Sequence, residues 1–445
     1  MIPESVVERC HTPSLESFEP MRVTIVALNA LPVVDPSEGR GIGGLETFAW
    51  RLACGLSKYS ADSVQFVVRS RHKRATAVSE GVRIDCIHEP LREIRQCVSQ
   101  SILIDSSRRL PLLKKWRASL LWQFPLLAAN KLFFPAFSEQ QVLQRTIAEF
   151  APELIVTLGV NQTSSILADL ASQWTVPIVL WLQSNADLDQ RLYREEGFVD
   201  RYGVQGFHAK FCLRECRNII CQTDTQMQLL QAVGADCPAN DGQSGRVVVI
   251  PNPIDLPAYD ADSLSWSTRE GVLWVGRADR FHKRPLLAIE IAKLCPSINF
   301  KLIVNPGDVE VLQEIKRIQP SNVTVLDYVP VNEMPDVLRK SRLFLSTGSS
   351  DYEGFPNVLL ESSVSGTPIV SLEDFDSYLE RSRGGVCVSG NIERAAQIIH
   401  RLHGGSMEWS ELSTNAVKYV AKHHSLQHVI AKFQDWRRQH ISRST

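Results

Sequence analysis

From Met21 onward, short runs rich in β-branched residues alternate with helix-length amphipathic segments. Short continuous apolar runs predict buried strands, and apolar positions recurring every three or four residues predict helices. RVTIVALNA (22–30) reads as a strand, LETFAWRLACGLSKY (45–59) as a helix and SVQFVVRS (63–70) as a second strand. ELIVTLG (153–159), PIVLWLQ (177–183) and NIICQT (218–223) continue the series, with SSILADLASQ (164–173) and TQMQLLQAVG (225–234) as helices between and after them. Such βα alternation predicts a parallel sheet with helices on both faces.

Between about residues 235 and 270 the pattern breaks into loops around RVVVIPNPID (246–255), a strand ending in a turn. A second alternating series follows: VLWVGRA (272–278), RPLLAIEIAKLC (284–295), NFKLIVN (299–305), VEVLQEIKRI (309–318), NVTVLDYV (322–329), LFLSTG (343–348), NVLLESSVS (357–365) and TPIVSL (367–372). The chain therefore divides into a tail over 1–20, an α/β doubly wound domain over 21–252 with an insertion at about 91–140, a second over 253–425, and a terminal helix over 426–445. Two sheets facing each other make a cleft, and in open α/β sheets ligands sit beyond the carboxyl ends of the strands.

Composition changes this picture little. A length of 445 residues suits two domains, and 44% hydrophobic with 22% charged residues describes ordinary globular material. A net charge of −1 gives no global attraction to nucleic acid or to a membrane. The first twenty residues are polar, mixed in charge and lack an apolar core, so the expectation is a disordered tail on a cytoplasmic protein. The ten cysteines include Cys212, Cys216 and Cys221 but no C-x2-C knuckle, so they read as small buried residues rather than metal ligands.

Three loops carry candidate chemistry. Gly41, Gly43 and Gly44 precede the first long helix, where free N–H groups form an anion site and glycine admits close approach. The spacing is not the dinucleotide G-x-G-x-x-G, which argues against NAD. After VLWVG, the loop RADRFHKRP places Arg277 and Lys283 six apart; the pair suits a departing diphosphate or, equally, a solvated basic turn. In SSDYEGFPNVLLESSVSGTPIV, Gly354 to Asn357 form a turn, Pro356 takes the first position of the next helix, and Glu353 and Glu361 flank its positive end. A helix end between two acceptors suits a ligand bearing both phosphate and hydroxyl groups.

The element EGFPNVLLE, with Glu353 and Glu361 as E-x7-E, resembles the signature of retaining glycosyltransferases of family four (glycosyl transferases group 1), which have the GT-B fold of two Rossmann-like domains facing across a cleft. GGLE (43–46), IPNPID (250–255), VGRADRFHKRP (275–285) and SGTPIV (365–370) match in the family's order, and the resemblance covers roughly residues 22–430. It implies that Arg277 and Lys283 bind the donor diphosphate and stabilise the leaving nucleotide. It implies that Glu353, with the backbone of Gly354, Phe355, Pro356, Asn357 and Val358, holds the donor sugar, and that Glu361 holds the ribose. Gly43 and Gly44, with Glu46 beside them, would border the phosphates and acceptor, and the backbone around Val329 would meet the base. It further implies no cofactor beyond a nucleotide-diphosphate sugar, UDP- or GDP-linked first among the candidates, and a terminal helix that crosses back to the first domain.

Two departures stand out. Gln183 occupies a position where many members carry His, so it bonds a hydroxyl but does not titrate, and Asn305-Pro306 replaces a glycine-rich turn. Asp187 to Asp189 and Asp374 to Asp376 form D-x-D elements that read as solvated loop carboxylates, and no metal is expected. On the acceptor side, residues 91–131 hold eight basic and two acidic residues interleaved with Trp116, Trp122 and Phe124. The segment fits either an anionic membrane surface near a glycan or lipid-linked acceptor, or a helical insertion packed on the first domain. Two alternatives to transfer remain in view, a sugar-nucleotide epimerase or hydrolase of the same fold and a non-catalytic sugar-nucleotide-binding subunit.

Overall fold

A computed structural model describes residues 20–39, 43–88, 91–104, 111–113, 116–133, 139–233, 246–256 and 265–441. The expected tail, Gly41, Cys10, Cys237 and much of the linker between the two series lie outside the described residues.

In the first half the strands are β1 (Arg22–Val26), β2 (Ser63–Ser70), β3 (Ala77–Ser79), β4 (Val82–His88), β5 (Ile102–Ile104), β6 (Pro111–Leu113), β7 (Leu154–Leu158), β8 (Ile178–Trp181), β9 (Asn218–Cys221) and β10 (Val247–Val249). Eight of them form one sheet in the order β10-β9-β8-β7-β1-β2-β4-β3, while β5 and β6 pair separately as an antiparallel hairpin. Within the large sheet only β3 runs antiparallel. The second half contributes β11 (Glu270–Arg277), β12 (Phe300–Asn305), β13 (Val323–Leu326), β14 (Ser341–Ser346), β15 (Ile369–Ser371) and β16 (Gly385–Cys387), all parallel, in the order β13-β12-β11-β14-β15-β16.

The apolar runs are continuous because both faces of each sheet are covered. Val23 and Ile25 of β1 enter one core with Phe66 and Trp181, while Val26 enters the opposite core with Val67 and Leu180. In the second sheet Val272 and Trp274 face one layer, and Leu273 faces the other with Phe344 and Leu360. Cys212, Cys216 and Cys221 are buried in the first half's core. The pair β3–β4 was not apparent from the pattern, because basic RHKR precedes it and Asp85 interrupts the apolar run. Asp85 is buried there, accepting bonds from Gln65, Thr76 and Arg83.

Strand order reverses beside β1 in one sheet and between β11 and β14 in the other, and the loops after β8 and β14 meet, Ser184 bonding Tyr352 O and Asn185 bonding Ser350 O. The last helix, Leu426–His440, leaves the second sheet and packs on the first. Val429, Ile430 and Phe433 are fully buried there, each worth about 1.5–3 kcal/mol by area. It presses so closely on the helix Gly44–Tyr59 that a Cβ at Gly55 would lie 2.7 Å from Leu426 and 2.8 Å from Ile430. Arg437 closes the contact with a buried two-pronged bond to Asp62, at 2.7 and 3.3 Å. The outgoing and returning chain segments touch each other: Ile254 N–H donates to His424 O at 2.8 Å and Leu426 N–H donates to Ile254 O at 3.0 Å.

Candidate active site

The loop that follows β11 is shaped by its own side chains. Asp279 accepts from the N–H groups of Phe281 and His282 at 2.7 and 2.6 Å, folding the loop back on itself. Arg284 then takes a left-handed backbone conformation ahead of the helix Pro285–Lys293. Its guanidinium donates to Thr347 O at 2.6 Å, bonds Gly348 O and pairs with Glu373 at 2.6 Å. Arg284 thereby fastens the loop after β11 to the loop after β14. Thr347 adds a second fastening, accepting from Trp274 Nε1 at 2.8 Å and donating to Lys283 O at 2.6 Å.

These fastenings bring Lys283 against Glu353, Nζ to Oε2 2.5 Å. The other carboxylate oxygen, Oε1, is buried and has no partner among the described residues. Arg277 stands at the end of β11 with its side chain half exposed (49%) and, among the described residues, only a long 3.6 Å ion pair to Asp279, so it is available to a ligand. His282 lies between these cations and is pushed down to about 4, chiefly by burial and further by Lys283, Arg277 and Arg201. It bonds the Tyr202 hydroxyl of the first domain and stacks on Tyr352.

The Gly354 to Asn357 turn is buried from behind. Phe355 packs against Tyr378 and His424, and His424 Nδ1 bonds Asn252 O at 3.0 Å. Asn252 in turn donates to Phe355 O at 3.3 Å and to Asn357 Oδ1 at 2.8 Å. Pro356 was expected as the first helical residue; it is the residue capping the helix Asn357–Val364 instead, with extended backbone (ψ 113°) and no side-chain cap bond. Leu359 N–H donates to Pro356 O at 3.0 Å, while the N–H groups of Asn357 and Val358 have no partner among the described residues.

The first domain supplies the opposite wall. Asn357 Nδ2 donates to Gly44 O at 2.8 Å, and Arg51 bonds Glu361 at 3.1 Å, so Glu361 is held across the cleft by a residue that sequence reasoning did not single out. Glu46 folds over Gly43, its Oε2 2.4 Å from where a Cβ would stand. Burial raises its pKa against the opposing pull of the Glu46 and Gly43 N–H groups and of Arg277. Gln183 is half-buried beside Gly354, whereas Val329 sits farther along the second domain, half-buried after β13. Ser184 bonds Tyr352 O and Asn185 donates to Ser350 O at 2.7 Å. Beside this contact a cavity of about 560 Å³ opens, lined among others by Asp189, Arg191, Phe198, Tyr202, Tyr352 and Gly354.

The aspartate pairs are engaged in local structure. Asp187 accepts from Gln183 and Ser184 N–H, and its pKa is raised to about 6 by burial. Asp189 caps the next helix, Asp374 accepts from Leu379 and Glu380 N–H, and Asp376 bonds Thr225 and Arg381.

Two open α/β sheets, parallel except for β3, with a carboxyl-edge cleft and a returning terminal helix decide the architecture. The fold is GT-B. Solved structures align along nearly the whole chain: Staphylococcus aureus TarM, bound to UDP and alpha-GlcNAc-glycerol, at TM-score 0.64 and 10% identity over 94% of this chain and 99% of that one. Anabaena HepE, solved with UDP and glucose, follows at TM-score 0.61 and 13% identity over 93% and 98%. Sucrose-phosphate synthase from Thermosynechococcus elongatus gives TM-score 0.63 and 15% identity over 94% and 98%. Residues 269–404 match the family model described as glycosyl transferases group 1, the GT-B half that carries Arg277, Lys283, Glu353 and Glu361. No curated protein sequence matches the chain.

Proposed function

We propose that the protein is a retaining glycosyltransferase that moves a sugar from a nucleotide-diphosphate donor to a hydroxyl of a glycan or lipid-linked acceptor, in polysaccharide or cell-envelope glycan synthesis. The observation that carries this reading is the Lys283–Glu353 pair at the foot of the Gly354 to Asn357 turn, with Arg277 open to the cleft beside it. A diphosphate entering there meets two cations and the free N–H groups of a helix start. Lys283, released from Glu353, neutralises charge that grows on the leaving phosphate, and Glu353 turns to a sugar hydroxyl. The acceptor hydroxyl attacks on the face the nucleotide leaves, giving its proton to the departing phosphate through an oxocarbenium-like state. No step in this scheme needs a metal. The donor-side domain is 253–425, the acceptor-side domain 21–252, and the cavity beside Gly354 receives the acceptor.

The UDP complexes of HepE and TarM favour a UDP-sugar over other donors. Calorimetry across UDP-, GDP- and ADP-sugars, with Arg277→Ala as control, tests the assignment. Binding to the wild type that the variant loses supports it; a folded wild type that binds none of them ends it. Release of free or epimerised sugar without acceptor would instead support the epimerase or hydrolase reading.

The acceptor side fits peripheral attachment to an anionic membrane at the cytoplasmic face. Among the described residues no helix is long and apolar enough to cross a membrane. The helix Leu120–Phe133 nevertheless exposes Leu121, Trp122, Phe124 and Leu126, with Trp116 exposed just before it, inside the basic segment. Such a face suits a shallow, salt-sensitive contact with anionic lipid. No sedimentation with anionic vesicles at low salt would remove this part of the reading.

A further inference from the structure

Two glutamines of the first domain end against the Gly354 turn, each with one side-chain atom left unbonded among the described residues. Gln222 is 4% and Gln226 0% exposed, yet Gln222 Oε1 and Gln226 Nε2 have no hydrogen-bond partner among the described residues. A buried amide group left unpaired costs about 1–3 kcal/mol, so two side by side call for an explanation.

Their orientation is dictated from behind. Gln226 Oε1 accepts the Gln222 N–H at 2.7 Å, which turns Nε2 outward. Gln183 Nε2 donates to Trp181 O at 3.3 Å, leaving its Oε1 to accept from Gln222 Nε2 at 3.1 Å, which turns Gln222 Oε1 outward. Both free atoms point at Gly354: a Cβ there would stand 2.4 Å from Gln226 Nε2 and 2.8 Å from Gln222 Oε1. One fixed donor and one fixed acceptor therefore meet at Gly354, the residue that follows Glu353.

We propose that Gln222 and Gln226 read the hydroxyl groups of the transferred sugar, and so help to set which sugar is accepted. The inference rests on the donor reading given above. A hydroxyl both donates and accepts, so a pair of adjacent ring hydroxyls satisfies Gln226 Nε2 and Gln222 Oε1 together. The facing groups are neutral amides, so the chemistry fits a neutral hydroxyl-bearing sugar. A site built to bond hydroxyls discriminates strongly against a sugar that presents them wrongly, because its own buried groups are then left unpaired.

The test compares a donor with its nucleotide alone. Calorimetry would measure UDP, UDP-glucose and UDP-galactose, and GDP with GDP-mannose, on wild type, Gln226→Glu and Gln222→Met. Gln226→Glu keeps the shape and the bond to Gln222 N–H but replaces the outward donor by an acceptor. The expected result is a loss of about tenfold or more in affinity for the sugar nucleotide that the wild type prefers, with affinity for the bare nucleotide changed less than twofold. Retained nucleotide binding also shows that each variant is folded. Equal losses for nucleotide and sugar nucleotide, or no loss for either, would overturn the proposal while leaving the donor reading intact. A wild type that binds none of the five ligands would remove the donor reading and this inference with it.

Discussion

The two domains present the same local device to the cleft, a glycine turn running into the positive end of a helix, and support it in opposite ways. At Gly43 and Gly44 the turn is exposed, and the carboxylate of Glu46 folds back over its own helix start. At Gly354 to Asn357 the turn is buried, has no side-chain cap, and leans on Phe355, His424 and Asn252. A helix end whose own acid covers it is largely neutralised, whereas one left uncapped in a dry setting keeps its full attraction for a ligand. The same glycine pattern thus gives a covered helix end in one domain and an uncapped, buried one in the other. What separates them is the packing behind the turn.

Removing Lys283 puts that contrast under the greatest strain. Lys283→Ala is expected to lower transfer by about 100- to 1000-fold, the scale of losing one preorganised charge on a developing anion. Glu46→Ala, in the other turn, is expected to cost tenfold or less, read as kcat with the saturating donor. A comparable loss from both would mean that the two turns share the work. Gly354→Ala comes next: its Cβ meets Gln226, Gln222 and the Gln183 carbonyl at 2.4, 2.8 and 3.0 Å, and thermal unfolding is expected to show a loss of about 1–3 kcal/mol. Gly44→Ala meets only Asn357 Nδ2, at 3.4 Å, and is expected to stay within about 0.5 kcal/mol.

Acid gives a third and graded probe of the buried turn. Burial holds His424 down to about 4, below its ordinary 6.5. The neutral ring is therefore favoured in the folded state, and its contribution is complete above about pH 6.5 and lost as pH falls through about 4. Wild type is expected to lose about 2 kcal/mol between pH 7 and pH 5 through this group. His424→Phe, which keeps the stack on Phe355 but cannot titrate, is expected to flatten that slope in urea unfolding curves. An unchanged slope would place the acid sensitivity elsewhere.

Much of the layout was legible because βα alternation and buried apolar runs are local signals. The strands around Arg22, Ser63, Leu154, Ile178 and Glu270 could be read from a window of ten residues, as could the E-x7-E element. What could not be read were pairings set by distance in sequence. Arg51 holds Glu361 from 310 residues away, and Asn357 reaches Gly44 across 313. Arg51 looked like one more polar position on an amphipathic helix. Gln222 and Gln226 fell in a strand end followed by a helix cap, where a buried amide and a solvated one have the same spelling. His424 belonged to a run of polar residues near a helix end, and only packing shows that it backs Phe355. Pro356 was displaced by one position because a proline suits both the cap and the first helical turn, and the pattern alone does not distinguish them.

The chain crosses between the domains twice, and the two crossings are zipped to each other where Ile254 meets His424 and Leu426. A single crossing would let one domain swivel on a tether. Two segments bonded side by side restrict that swivel and favour a swing about the seam. The seam lies next to Asn252 and His424, which back the Phe355 turn, so a swing about it would move that turn least and the far rims of the cleft most. A bulky ligand would then enter at the rim while the turn, backed by Asn252 and His424, keeps its shape.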